Sequence, residues 1–317
     1  MLKLKNKELK LLYTINLNCR QNAKELAKAS GFTPSFVVQK IKEFESEGII
    51  TDFITQIDYS RFSYRPYRIN LFFRNLLSET HEKILQHIEE TKEVLDLEIL
   101  DKDFGISIIY ISKDHDLLQK FLASIKKEFN NFLTTHTINR LDKLDKFPYA
   151  YLLGKAVDDS EKVFPLKMES PVNLDPHDRR ILTILANEAQ ASLIKLSRQT
   201  GIPPRTIRYR ITRLEKKKII LGYRAIINKR LIGYKKFKIS FESSTPLDTI
   251  KDFARLNPHV TTYEEHSPFD HILTVETESI ESLMNIINNL KERFAPLKSY
   301  SYTYIAEQRK QAVFMPT

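Results

Sequence analysis

Residues 174–233 read LDPHDRRILTILANEAQASLIKLSRQTGIPPRTIRYRITRLEKKKIILGYRAIINKRLIG. Asp175 is a natural cap for a helix, and Pro176 suits its first position, where a missing N–H costs nothing. Ile181, Leu182 and Leu185 then make one apolar stripe. After a turn at Asn187–Ala191, a second short helix carries Leu193 and Leu196 and stops at Gly201, which suits a left-handed cap. Pro204 opens a third helix with Ile207, Ile211 and Leu214 on its core face. Ile219-Ile220 and Tyr223–Ile227 read as two short strands turning around Gly222, a local hairpin. Three short helices and a hairpin predict a winged helix-turn-helix.

Downstream the apolar period falls from helical spacing to two. Phe237, Ile239 and Phe241 alternate with polar residues as in a half-buried strand. A helix over 246–256, strands over 260–264 and 271–276, a helix over 280–294 and a strand through Tyr300, Tyr302 and Tyr304 complete the order βαββαβ. That is the pattern of a ferredoxin-like sandwich.

The same plan runs earlier in the chain. At one constant offset, without a gap, Leu12 matches Leu182, Leu26 matches Leu196, Gly31 matches Gly201, Pro34 matches Pro204, Ile41 matches Ile211, and Tyr64 matches Tyr234. Helices are expected near 6–17, 23–29 and 34–47, with strands near 49–60. Period-two residues Tyr67 to Phe73, helices near 79–91 and 116–129, and strands near 94–100, 105–111 and 134–140 follow. A period this long means two whole copies of a two-part unit, not a solenoid. The predicted class is α+β. The units are winged helices over 1–62 and 174–233, sandwiches over 63–147 and 234–312, and a surface connector over 148–173. The two sandwiches could pack on each other within one chain.

The chain has 317 residues and a net charge of +10. Its charge is unevenly placed: residues 4–65 carry 10 basic and 7 acidic side chains, whereas 174–235 carry 15 and 4. No apolar run approaches the roughly 20 residues of a membrane span, and the N-terminus lacks a signal peptide's apolar stretch. Cys19 is the single cysteine, so neither an internal disulfide nor a cysteine metal centre can form. A cytoplasmic location and no cofactor are expected.

The run 174–233 resembles the DNA-binding domain of the leucine-responsive/asparagine-type (Lrp/AsnC) transcription regulators. The carriers are the opening LD..D..IL, the L...TGI turn, the third helix and the GY that follows. The βαββαβ segment is similar to that family's amino-acid-sensing and dimerisation domain. The resemblance implies a regulator of transcription that is not an enzyme, with double-stranded DNA and a second copy as partners. It also implies an amino-acid effector, placed near Asp270, where the family has a G..D turn although glycine is missing here. One such unit per chain is usual, so the chain looks like a fused pair.

The third helix carries the expected chemistry. Arg205, Thr206, Arg208 and Tyr209 lie away from the apolar stripe near the N-terminal end, which enters the major groove in such modules. Arginine can grip guanine O6 and N7 together. Thr212, Arg213, Lys216 and Lys217 follow where phosphates are expected, and the Ser192 amide could hold another. Arg210 either joins them or pairs with an acid such as Asp178. The matching residues of the first copy are Ser35, Phe36, Val38, Gln39, Lys40, Lys42 and Glu43. Carboxylates beside phosphate repel it, so this copy is either a scaffold or a reader of another half-site through Gln39 and Lys40.

His266 and His271 flank Asp270 beside Glu264-Glu265, as either a metal or acid–base group or as polar loop residues. The alternative function is a siroheme decarboxylase, a related enzyme type of heme synthesis. Its His-Asn-Tyr stretch corresponds here to Thr261-Thr262-Tyr263-Glu264-Glu265-His266, and the chain has no tryptophan.

Overall fold

Helix boundaries fall where side chains satisfy the free backbone groups. In the computed structural model, which describes residues 2–101, 104–156, 163–167, 170–266, 270–294, 297, 299–313 and 315, the Asp175 carboxylate accepts the Asp178 N–H at 2.9 Å and opens α6 (Pro176–Asn187). Ser192 caps α7 (Leu193–Thr200), accepting from the Lys195 N–H at 3.1 Å. Gly201, at φ 73°, ends α7 with a left-handed turn that a side chain would disfavour. The N-terminal trio α1 (Asn6–Leu17), α2 (Ala23–Ser30) and α3 (Pro34–Ser46) repeats this arrangement, with Gly31 at φ 79°.

The expected hairpin after the third helix is not formed. Residues 220–227 make one unbroken strand, β7 (Ile220–Ile227), that pairs antiparallel with β1 (Ile50–Ile57) of the other trio. Gly222 lies inside that strand, opposite Gln56. Its missing side chain is filled by Phe164: a Cβ there would lie 2.2 Å from the ring. The ribbon also exchanges partners between the trios. The Thr55 hydroxyl donates to the Leu185 carbonyl at 2.6 Å, and the Asn16 amide donates to the Ala225 carbonyl at 3.1 Å. Both trios therefore share one apolar core, in which Leu11, Leu12 and Ile15 join Ile181, Leu182, Leu185, Ile207 and Leu214.

The remaining strands form a single sheet. Residues 63–147 contribute β2 (Arg65–Phe73), α4 (Ser78–Glu90), β3 (Val94–Leu100), β4 (Ile106–Ser112), α5 (His115–Phe129) and β5 (Leu133–Lys146). After β6 (Phe164–Lys167), the C-terminal part contributes β8 (Lys235–Glu242), α9 (Leu247–Leu256), β9 (Val260–His266), β10 (Asp270–Thr277), α10 (Ile280–Arg293) and β11 (Ser299–Gln311). The order is β2-β4-β3-β11-β8-β10-β9-β5-β6, and an added β2–β5 pairing closes it into a ring. Each βαββαβ half keeps its own helix-covered core.

Closure depends on strands longer than their alternating segments. Residues 133–140 of β5 pair with β2 of their own half, and 141–146 continue beside β9 of the other. β11 does the same in reverse, from β8 to β3. Ion pairs cross the seam in both directions. Arg68 on β2 binds Glu264 on β9, and Lys238, the counterpart of Arg68 in the second copy, binds Glu98 on β3. Burial opposes ionisation of both acids, but the cations around them prevail and hold both carboxyls well below their usual range.

The stretch expected to be a solvated connector over 148–173 is partly core. Tyr149, Ala150, Tyr151 and Leu152 are buried against the shared helical core, and β6 pairs with the end of β5. The acidic Asp158-Asp159 pair lies outside the described residues. No helix of the described residues is long and apolar enough to cross a membrane.

Candidate nucleic-acid interface

Helix α8 (Pro204–Lys216) is anchored by Ile207, Ile211 and Leu214, all buried. Anchoring that face turns Arg205, Thr206, Arg208, Tyr209, Thr212, Lys216 and Lys217 to solvent, with Tyr209 67% exposed. None of these seven side chains makes a hydrogen bond or ion pair with another described residue. The result is a row of unneutralised cations and hydroxyls on a rigid helix, aimed away from the fold. Ser192 is also exposed, but its hydroxyl is taken up in capping α7.

Two arginines of α8 face inward instead. Arg210 donates to Asp175 at 2.6 Å and to Asp178 at 2.8 Å, so its structural alternative is the one realised. Arg213, expected at phosphate, pairs with Asp178, whose side chain is almost fully buried, and reaches Asp175 at 3.5 Å. The hydrogen bond from Arg210 lowers the Asp175 carboxyl to about 2. These pairs brace α8 against α6. Sequence reasoning missed Arg213's role because Asp178 serves two arginines, which no one-to-one pairing predicts.

The corresponding helix α3 carries a different surface. Lys40 is held by Glu8 at 2.9 Å and Glu43 at 2.6 Å, and Gln39 donates to Glu43 at 2.9 Å. The Phe36 ring packs at a tilt on Phe32, with centroids 4.7 Å apart, and remains 39% exposed, while Val38 is 47% exposed. The two side chains proposed as alternative readers are thus already engaged.

His266 and His271 sit on strands, not on loops. His266 is buried with a ring nitrogen 3.3 Å from Glu264, and the His271 ring meets the Tyr263 hydroxyl at 3.0 Å. Among the described residues no cluster of three or more histidine, cysteine or acidic side chains could hold a metal ion. Asp270 begins β10, its backbone opposite Glu242 and His266.

Known proteins place this geometry. A model of the winged helix-turn-helix DNA-binding family matches residues 174–220. The regulator Ptr1 of Methanocaldococcus jannaschii is 32% identical over 127 residues, which cover 39% of this chain and 84% of that protein. The chain belongs to the Lrp/AsnC family of helix-turn-helix transcription regulators. Among other Lrp/AsnC-type relatives, the regulator FL11 of Pyrococcus horikoshii is 28% identical over 120 residues, covering 37% of this chain and 80% of its own. The leucine-responsive regulatory protein of Haemophilus influenzae is 41% identical over 68 residues, covering 21% of this chain and 41% of its own. As a fold, this Lrp/AsnC chain is also similar to the siroheme decarboxylase NirDL. The TM-score is 0.61 at 10% identity, and the match covers 98% of this chain and 94% of the other.

Proposed function

We propose that the protein is a sequence-specific DNA-binding regulator in which α8 enters the major groove. The observation that carries this is the row of unpartnered side chains Arg205, Thr206, Arg208, Tyr209, Thr212, Lys216 and Lys217 on a braced helix. Arg205, Arg208 and Tyr209 read base edges, whereas Thr212, Lys216 and Lys217 meet phosphates. Thr206 and the Ser192 amide are assigned further contacts to the same duplex. Arg213 contributes by holding α8 in place.

In this reading the chain is a fused pair of regulator units with one strong reader. The ribbon and the closed sheet do within one chain what two copies do across an interface. A palindromic operator then needs two chains, so a homodimer is part of the proposal. The α3 surface serves as scaffold, since Lys40, one of its two lysines, is neutralised by Glu8 and Glu43. Amino-acid sensing near Asp270 is carried over from the family resemblance, as is a cytoplasmic location.

Random-library DNA selection with the full chain, beside an Arg205/Arg208/Tyr209→Ala variant, tests the reading. The wild type should enrich one motif and the variant none. Equal enrichment by both would overturn the assignment of α8. The decarboxylase alternative has the fold likeness behind it, but His266 is enclosed beside Glu264 in the sheet seam.

A further inference from the structure

Positions 54 and 224, equivalent in the two copies, face each other across the β1–β7 ribbon as Ile54 and Arg224. Arg224 is only 4% exposed. One of its nitrogens donates to the Asn16 side-chain oxygen and to the Phe147 carbonyl, both at 2.9 Å, and the guanidinium lies over the Tyr149 ring at 4.8 Å. Its Nε has no acceptor, and no carboxylate of the described residues lies within ion-pair distance. Arginine cannot escape by losing its proton.

Arg224 lines a chamber of about 40 Å³ beneath the ribbon, together with Lys146. The Lys146 amine makes no hydrogen bond or ion pair with any described residue. Burial lowers it to about 8, with Asp96 opposing the fall and Arg224 adding to it. Asp96 itself already accepts from Gln308 at 2.6 Å. The other cations of the chamber are matched: Arg68 by Glu264, Lys236 by Glu98, and Lys229 by Glu276. Arg224, buried, and Lys146, partly buried, are left without an ion-pair partner, and only the Asp96 carboxylate is left over against them, so the lining keeps one excess positive charge, a state that is costly unless an anion joins it. A water needs roughly 10–15 Å³ of such space, so the chamber has room for a carboxylate-sized head.

The other half of the molecule shows that the fold does not require these charges. Ile54, Tyr59 and Pro66 are the first-copy counterparts of Arg224, Lys229 and Lys236. Ile111 faces Pro66 in the sheet just as Glu276 faces Lys236. The space they line is largely apolar and is closed by Ala312 and Val313. On the charged side the chamber instead continues, through Lys229 and Lys236, into a groove of about 600 Å³ that also holds Arg230, Arg309 and Lys310.

We propose that the Arg224–Lys146 chamber binds the anionic head of a small organic acid, whose remainder lies in the basic groove. Glu276 Oε2, buried and without a partner, would take a hydrogen-bond donor next to that head. Binding at the ribbon would be felt by both helical trios. The inference does not depend on the DNA-reading role, because its test reads ligand binding alone.

The test is thermal unfolding and calorimetric titration of the full chain with malate and with inorganic phosphate. Sodium chloride serves as the ionic-strength control. Malate should raise Tm, by about 5 °C at a hundredfold excess over Kd, and should saturate in the calorimetric titration. It should bind more tightly than phosphate, which lacks the organic remainder. Lys146→Met and Arg224→Ile, the latter restoring the residue found at position 54, should each weaken binding at least tenfold while circular dichroism stays unchanged. Should Arg224→Ile misfold, Lys146→Met decides alone. The proposal is overturned if neither anion gives a saturable response beyond chloride, if phosphate binds as well as malate, or if the folded variants respond as the wild type does.

Discussion

At the scale of single residues, the decisive distinction is between cations that are engaged and cations that are not. Arg210 and Arg213 are bound to the acids of α6, whereas Arg205 and Arg208 are not bound to anything described. Arg205→Ala and Arg208→Ala should each cost about 1–3 kcal/mol of operator affinity and relax specificity at one base position, as a mutant-operator titration would show. Lys216→Ala should instead weaken all sequences alike and flatten the salt slope by about one. Cys19 gives a separate check. Burial pushes its thiol up to about 12, above the ordinary 9.0. A raised pKa contributes stability that is whole below the unfolded value and fades as pH climbs toward the folded one. Ellman's reagent at pH 8 should therefore find the thiol only after denaturant is added. The apolar stripe of α8 and the basic row opposite were legible from spacing alone. The engagement of Lys40 by Glu8 was not, because Glu8 belongs to another helix and lies far away in sequence.

At the scale of elements, strands were recognisable but their partners were not. Residues 220–227 have the same alternation whether they fold back locally or pair with β1, so hydrophobic pattern cannot choose. The glycine taken for a hairpin turn is needed for the approach of Phe164. Gly222→Ala should destabilise the protein by about 1–3 kcal/mol through overpacking. Adding Phe164→Leu should recover part of that loss, and denaturant titration of the single and double variants measures it. Likewise β5 and β11 were legible only over their first halves. Beyond residues 140 and 305 they cross to the other half, where the flanking residues answer to a different neighbour and the simple alternation fades.

At the scale of the whole molecule, the two halves are similar in plan and unlike in charge. The ribbon, the two crossing strands and the reciprocal Arg68–Glu264 and Lys238–Glu98 pairs make them one folding unit. Residues 1–170 expressed alone should therefore not give a folded monomer, which light scattering and circular dichroism would reveal. The repeat in the sequence anticipated two helical trios and two βαββαβ halves, and the count of basic residues picks out the copy proposed to face DNA. The sharing of one core and one closed sheet was not legible, because offset matching says that two units are alike and nothing about how they meet. The central claim is that DNA reading belongs to α8 and not to α3. The most direct measurement is the salt dependence of operator binding for Arg205/Arg208/Tyr209→Ala beside Lys40→Glu/Lys42→Glu. The first variant should lose specific binding, and the second should keep the wild-type affinity and slope. Loss of binding in the second variant with binding retained in the first would contradict the account.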